Sequence, residues 1–309
     1  MANLSIDGSD VWARVPQLPP EVEEEAAHAL IDFLKEIDAE FEQVLADESG
    51  ASFDALHKIY EFSRFKTDWL KFILPTIGVG EVRIILHDGL VKIEETGIPC
   101  LWRMQMDNQE SFILTRVPLC VRHAAREGDA EIGKIVNNGT DVFAAPAILE
   151  QLRSEQEKIN WESLSNEPAF MVEFSGEPLS AGDSRAILST LGTGNIEVRL
   201  QGFAESRIER TRVRGVWHSR LINNAGKELL EGYVTAYLPP EVPSAWEALE
   251  DAHTRCQELI QWMQDDLARG AIGRTKRVCY SERMMPSSVV RRTYQSFEGI
   301  FRLLESKFL

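Results

Sequence analysis

Between residues 21 and 47 the apolar positions Leu30, Phe33, Leu34, Ile37, Phe41, Val44 and Leu45 recur at helical spacing. That pattern predicts one amphipathic helix, entered through the proline-rich stretch Pro16, Pro19 and Pro20. Further on, short apolar runs alternate with glycines and polar turns, which predicts strands joined by tight connections.

The chain also repeats itself. Residues 73–80 read Ile-Leu-Pro-Thr-Ile-Gly-Val-Gly and residues 187–194 read Ile-Leu-Ser-Thr-Leu-Gly-Thr-Gly. With one single-residue gap, Leu86, Ile93, Glu94, Thr96 and Trp102 match Leu200, Ile208, Glu209, Thr211 and Trp217. Ten identities fall within the thirty residues 73–102, where chance would give roughly one or two. Each copy predicts the same order of elements. A helix (Phe62–Leu74; Ser184–Leu191) ends at a GxG cap. Strands follow at Glu81–Leu86 or Asn195–Leu200, at Val91–Thr96 or Ser206–Val213, at the tryptophan, and at Ser111–Val121 or Glu228–Leu238. A helix closes each copy. The second opens on a capping box of Ser244 and Glu247, carries Ala245, Leu249, Ala252, Cys256, Leu259 and Met263 on one stripe, and stops at Gly270.

Meanders covered by helices make the expected fold class α+β: two tandem duplicated units, each a small antiparallel sheet flanked by helices, with N- and C-terminal helical extensions. The expected divisions are an acidic helical segment (1–58), a first repeat (59–150), a connector containing Pro168, Gly176 and Pro178 (151–182), a second repeat (183–269) and a basic extension (270–309). In that extension Val290, Tyr294, Phe297, Phe301, Leu304 and Phe308 fall on one helical stripe after Pro286. It is expected to dock on the body of the protein, with the acidic helix as counter-charge.

Composition refines this picture. The 309 residues are 44% hydrophobic and 27% charged, with net charge −16, enough chain for a sizeable core. The acidity argues against nucleic-acid and anionic-membrane partners. It is polarised: residues 21–48 hold eleven acids against one lysine, whereas residues 271–309 hold eight basic and three acidic residues. No segment has the length of a membrane span, and the first residues lack the pattern of a signal peptide. A cytoplasmic location is expected.

Candidate chemistry is sparse. Gly78/Gly80 and Gly192/Gly194 are structural turns and not a dinucleotide fingerprint: Arg83 and Glu197 occupy the third glycine position, and the order is helix, glycines, strand. The six histidines show no paired-ligand spacing. Cys100 is expected to share a strand face with Trp102, and Cys256 to lie on a buried helical stripe, both as small core residues, while Cys120 and Cys279 could be exposed. Trp102 and Trp217 read either as core residues at equivalent points or as hot spots of a binding surface. No catalytic, cofactor or metal residues are assigned, and no enzyme activity is expected.

The GxG-strand-strand-Trp unit resembles the hydrogenase expression/formation family of HupH/HyaF type. The residues that carry the resemblance are Ile77–Ile84 with Leu101-Trp-Arg103, and Leu191–Val198 with Gly215-Val-Trp-His218, Leu229-Leu-Glu231, Pro240-Glu-Val242 and the helix through Gln261-Trp262. It spans roughly residues 65–265. It implies a cytoplasmic, non-catalytic maturation factor or chaperone of [NiFe]-hydrogenase that binds the small-subunit precursor during iron–sulfur cluster assembly, before export. Other maturation proteins are further candidate partners, and a homodimer stays open. The partner-binding candidates are Trp102, Arg103, Trp217, His218, Tyr294 and Phe301. The alternative is a metal or iron–sulfur carrier using Cys100, Cys120, Cys256 and Cys279 or the histidines.

Overall fold

The computed structural model describes residues 18–47, 49–135, 141–174, 179–202 and 204–272. The expected extension at 273–309, with Tyr294, Phe301 and Cys279, lies outside the described residues, as do Gly176 and Pro178 of the connector.

The long helix forms as its periodicity predicts: α1 runs Pro20–Leu45, opens on a proline at its first position, and buries Leu30, Phe33, Leu34, Ile37, Phe41 and Val44. A short α2 (Ala51–Ala55) leads to β1 (His57–Glu61), a 3-10 turn at Phe62–Arg64 and α3 (Thr67–Ile77). Next come β2 (Val79–Leu86), β3 (Val91–Thr96), β4 (Leu101–Met106), β5 (Gln109–Thr115) and α4 (Leu119–Arg126). The remaining chain contributes α5 (Ala145–Gln156), β6 (Phe170–Glu173), α6 (Ala181–Leu191), β7 (Ile196–Gln201), β8 (Ala204–Arg210), β9 (Val216–Asn223), β10 (Glu228–Thr235) and α7 (Trp246–Ala268).

The class is α+β, but there is one sheet where the sequence predicts two. Its strands are antiparallel in the order β1-β5-β4-β3-β2-β7-β8-β9-β10-β6. The two meanders join through β2 and β7, where Val82 faces Leu200, Ile84 faces Val198 and Leu86 faces Ile196. This pairing is symmetric about Ile84 and Val198, and the strand order reads alike from either edge. Two separate sheets would each have exposed an apolar edge strand; the junction removes both edges.

One face of the sheet is apolar through the centre. Ile84, Ile93, Trp102, Ile113, Val198, Ile208 and Trp217 form a single core there, with Val121, Ala124 and Ala125 of α4 packed on it. The opposite face is apolar only toward its two ends. Leu101, Phe112 and Leu114 meet α1, α3 and α7 in one cluster, and Val216 and Tyr233 meet α5 and α6 in another. Between the clusters that face carries cross-strand charge, including the Arg83–Glu94 pair at 3.3 Å and the Arg220–Glu209 pair at 3.2 Å.

Several local expectations are corrected. The strand predicted at Ser111–Val121 ends at Thr115, and α4 begins at Leu119; Pro118 cannot donate to the ladder and instead precedes the first helical turn. The helix predicted from Phe62 starts at Thr67, and Pro75 sits inside its last turn. No capping box forms at Ser244: α7 begins at Trp246 with Ala245 as its N-cap, and the buried Ser244 hydroxyl has no hydrogen-bond partner among the described residues. Cys100 and Trp102 occupy different cores, because Cys100 has φ +65° in the turn before β4 and interrupts the alternation.

Candidate functional site

Gly78 and Gly192 end α3 and α6 at φ +80° and +62°, and each N–H is donated to the carbonyl four residues back. These turns launch β2 and β7, so both meanders start from the same geometry. Trp102 and Trp217 are fully buried. Their indole N–H groups donate to the carbonyls of Thr115 and Ala236, each at 3.0 Å. Both rings therefore point into the core, while the next residue on each strand, Arg103 or His218, points to the opposite face.

On that face an open cleft of about 670 Å³ lies between α6 and the β9–β10 hairpin. Its helix wall is built by a strong cap. The Ser180 hydroxyl accepts the Asp183 N–H at 2.9 Å, and Asp183 also accepts the N–H groups of Phe143, Ala144 and Ala145, each at 2.8 Å. One carboxylate thus holds the start of both α5 and α6. Burial pushes its pKa up, but the bonds from Ala145, Ser180, Phe143 and Ala144 outweigh that and hold it at about 2. This helix wall presents Ser184, Ile187 and Leu188 to the cleft.

The strand wall comes from a hairpin turned by Asn223, whose side-chain oxygen accepts the N–H groups of Ala225 and Lys227 at 3.0 and 2.9 Å. Past the turn the register shifts between Glu228 and Leu230. This bulge inserts Leu229 and leaves it 45% exposed at the rim. Deeper in, His218 Nε2 lies 2.8 Å from Glu231 Oε1, and the His218 ring stacks on Tyr233 at 4.9 Å between centroids. Burial, then the nearby Glu231 carboxylate, push the Tyr233 hydroxyl pKa up to about 12, so it stays protonated. Phe174 and Leu179 close the floor. The result is an apolar groove with a few fixed polar groups, a shape suited to binding.

Of the sequence candidates, His218 lies in this cleft. Arg103 is at the far end of the same face, paired with Glu110 at 2.5 Å. The cleft residues Leu188 and Leu229 escaped sequence reasoning as site residues; their signal is exposure, visible only after folding. Among the described residues Cys100 and Cys256 are enclosed in one core and Cys120 flanks another. Burial pushes the Cys256 thiol well above its ordinary pKa and that of Cys120 up. Asp38 and Glu42 of α1 and His253 of α7 bring ligand-type atoms within 4.8 Å of one another, with His253 Nδ1 2.7 Å from Asp38 Oδ1. That set has the chemistry of a divalent-cation site, though His253 and Asp38 also satisfy each other as a joint between the helices.

The HupH hydrogenase expression protein C-terminal conserved region matches residues 142–263, a span that contains every residue lining the cleft. The chain is 26% identical over 202 residues to the hydrogenase-1 operon protein HyaF of Escherichia coli, covering 63% of this chain and 69% of that one. It is 26% identical over 202 residues to the hydrogenase expression/formation protein HoxQ of Cupriavidus necator, covering 62% and 69%. It is also 22% identical over 211 residues to HupH of Rhizobium leguminosarum, covering 65% and 73%. The chain is thus similar, over about two thirds of its length, to hydrogenase expression/formation proteins. A solved structure of the hydrogenase expression protein HupH from Thiobacillus denitrificans aligns at TM-score 0.33 and 24% identity, over 39% of this chain and 95% of that one. Within the family region, the resemblance residues His218 and Leu229–Glu231 converge on the cleft, whereas Pro240–Val242 lie in the loop before α7. There the Asn166 amide donates to the carbonyls of Pro240 and Pro243 at 2.9 and 2.8 Å.

Proposed function

We propose that this protein is a non-catalytic maturation factor of [NiFe]-hydrogenase that holds the small-subunit precursor during iron–sulfur cluster assembly in the cytoplasm, before export. Its docking surface is the cleft between α6 and the β9–β10 hairpin, with His218 and Glu231 as the polar anchor. One observation carries this reading: the region matched by the family is the region that builds the cleft. Arg103 extends the same face toward the first half of the sheet. The matching turns, tryptophans and registers of the two halves are further proposed to come from one duplicated unit.

The test is retention of the small-subunit precursor, with and without its leader, on the immobilised full chain at micromolar concentration. Retention that is lost in Leu188→Asp and Leu229→Asp supports the reading; no retention by the unaltered chain overturns it. A metal-carrier reading is favoured by one observation, the convergence of Asp38, Glu42 and His253. Elemental analysis of anaerobically purified protein, before and after His253→Ala, decides it: a metal-free preparation that still supports maturation rules it out.

A further inference from the structure

Residues 21–48 hold eleven acids against one lysine, and three of the acids on α1 are neutralised by basic residues of the segment that follows it. Glu25 pairs with Lys66 at 2.6 Å, Glu36 with Arg64 at 2.7 Å and Glu40 with Lys58 at 3.2 Å. Asp38 and Glu42 differ. They stand one turn apart on the flank of α1 that meets α7, and among the described residues neither pairs with a lysine or arginine. Across from them are His253 and Gln257, likewise one turn apart on α7. Each helix thus offers two donor side chains to the same place.

The donor atoms are close enough to share an ion. His253 Nδ1 is 2.7 Å from Asp38 Oδ1, and ligand-type atoms of Asp38, Glu42 and His253 all lie within 4.8 Å of one another. Two ligands each about 2.1 Å from one ion stand roughly 3–4 Å apart, so small side-chain rotations close the present spacing on an ion. The Gln257 amide nitrogen lies 3.2 Å from His253 Nε2 and 3.5 Å from Asp38 Oδ2, and a turn of that amide directs its oxygen inward as a fourth ligand. Asp38 and His253 are half-buried while Glu42 is exposed, so the cluster opens to solvent on one side. An ion can enter there and water can complete its coordination. The donor set also selects the ion. One imidazole among carboxylate oxygens suits a divalent first-row transition metal, and the neighbouring Cys256 is enclosed in the core and adds no soft ligand.

We propose that Asp38, Glu42 and His253, with the Gln257 amide, bind one divalent transition-metal ion of the zinc type, which fastens α1 to α7. The ion takes the place of the proton between His253 and Asp38 and brings Glu42 into the same joint. The helices it joins, of 26 and 23 residues, otherwise meet through the apolar cluster they share. α1 also carries Phe33 onto Tyr60, Phe65 and Phe112 over the first half of the sheet. Fastening α1 to α7 therefore secures that layer. Such an ion is resident and is not the cargo of the carrier reading, and the inference rests neither on that reading nor on the docking cleft.

The test is zinc binding by the full chain after a chelator has removed metal. Calorimetric titration with zinc chloride should show one equivalent bound, and zinc at about 100 times its Kd should raise Tm by roughly 5 °C. Magnesium should do neither, since it prefers oxygen ligands alone. The deciding variant is Glu42→Gln, because Glu42 is exposed and lies outside the His253–Asp38 contact. It should melt like the unaltered chain without metal, yet bind zinc at least about tenfold more weakly. Asp38→Asn and His253→Ala should share that loss, and Asp32→Asn, at an exposed acid of the same helix, should not. The absence of a zinc-induced shift in the unaltered chain overturns the inference. Binding that survives Glu42→Gln and His253→Ala also overturns it, because the ion then sits elsewhere. An equal response to magnesium does the same, by reducing the cluster to an acidic patch. Precursor retention by the same variants is read separately and bears on the proposed function alone.

Discussion

Gly80 lies directly against the backbone of Thr96: a β-carbon on Gly80 would sit 2.6 Å from the Thr96 carbonyl oxygen. Gly194 stands in the same relation to Thr211, at 2.5 Å. The obstacle is backbone and cannot rotate away. Gly80→Ala and Gly194→Ala are each expected to cost about 1–3 kcal/mol, measured by urea unfolding. A loss below about 0.5 kcal/mol in either would show that the strands separate freely there.

The two tryptophans should behave alike. Trp102→Phe and Trp217→Phe each leave a carbonyl of Thr115 or Ala236 without its indole donor. Each change is expected to lower stability by about 1–3 kcal/mol, read from thermal melts. A much larger effect at one site than at the other would contradict equivalent roles in the two halves.

Asp183 should make stability depend on acid. Its folded pKa is held at about 2, below the ordinary value of about 3.9, so its contribution is complete above the ordinary value. It is lost as pH falls through the folded one. Asp183→Ala should cost about 2 kcal/mol at neutral pH, and the gap to the unaltered protein should narrow toward pH 2. A gap that is constant with pH would show that the carboxylate is not the stabilising group.

Arg116 ties three separate segments together. Its guanidinium donates to Asp54 at 2.5 Å, to Asn166 at 2.6 Å and to the Ser244 carbonyl at 3.0 Å. Arg116→Ala should cost about 2 kcal/mol. Arg116→Lys should recover little of it, since one ammonium cannot reproduce the fork. Full rescue by lysine in a denaturation series would argue for charge alone.

Leu188 and Leu229 are exposed at the cleft rim. Leu188→Asp and Leu229→Asp should therefore leave stability within about 0.5 kcal/mol of the unaltered protein while abolishing precursor retention. Destabilisation of either variant would mean that the rim is part of the core.

Much of the local structure is legible from the chain alone. The stripe from Leu30 to Val44 specifies α1, because a helix is built from contacts three and four residues apart. The glycines at 78 and 192 mark helix ends, because few other residues accept that backbone, and the alternation through β2 and β7 specifies strands. Failures come where one residue changes the local geometry: Pro118 converts the end of a predicted strand into α4, and Cys100 breaks the alternation before Trp102.

The joining of the meanders and the formation of the cleft were decided by tertiary structure. Ile84 and Val198 are separated by more than a hundred residues, and nothing in their local pattern states that they face each other. Pairing is chosen by which edges remain once everything else has packed. The cleft likewise depends on α6 packing beside the β9–β10 hairpin while α5 lines none of it, a relation between separate segments. The sequence by itself determined the stripe of α1, the glycine turns that launch β2 and β7, and the matching places of the two tryptophans, since these rest on local spacing. Only the fold decided which apolar surface would be covered by α1 and which would remain open.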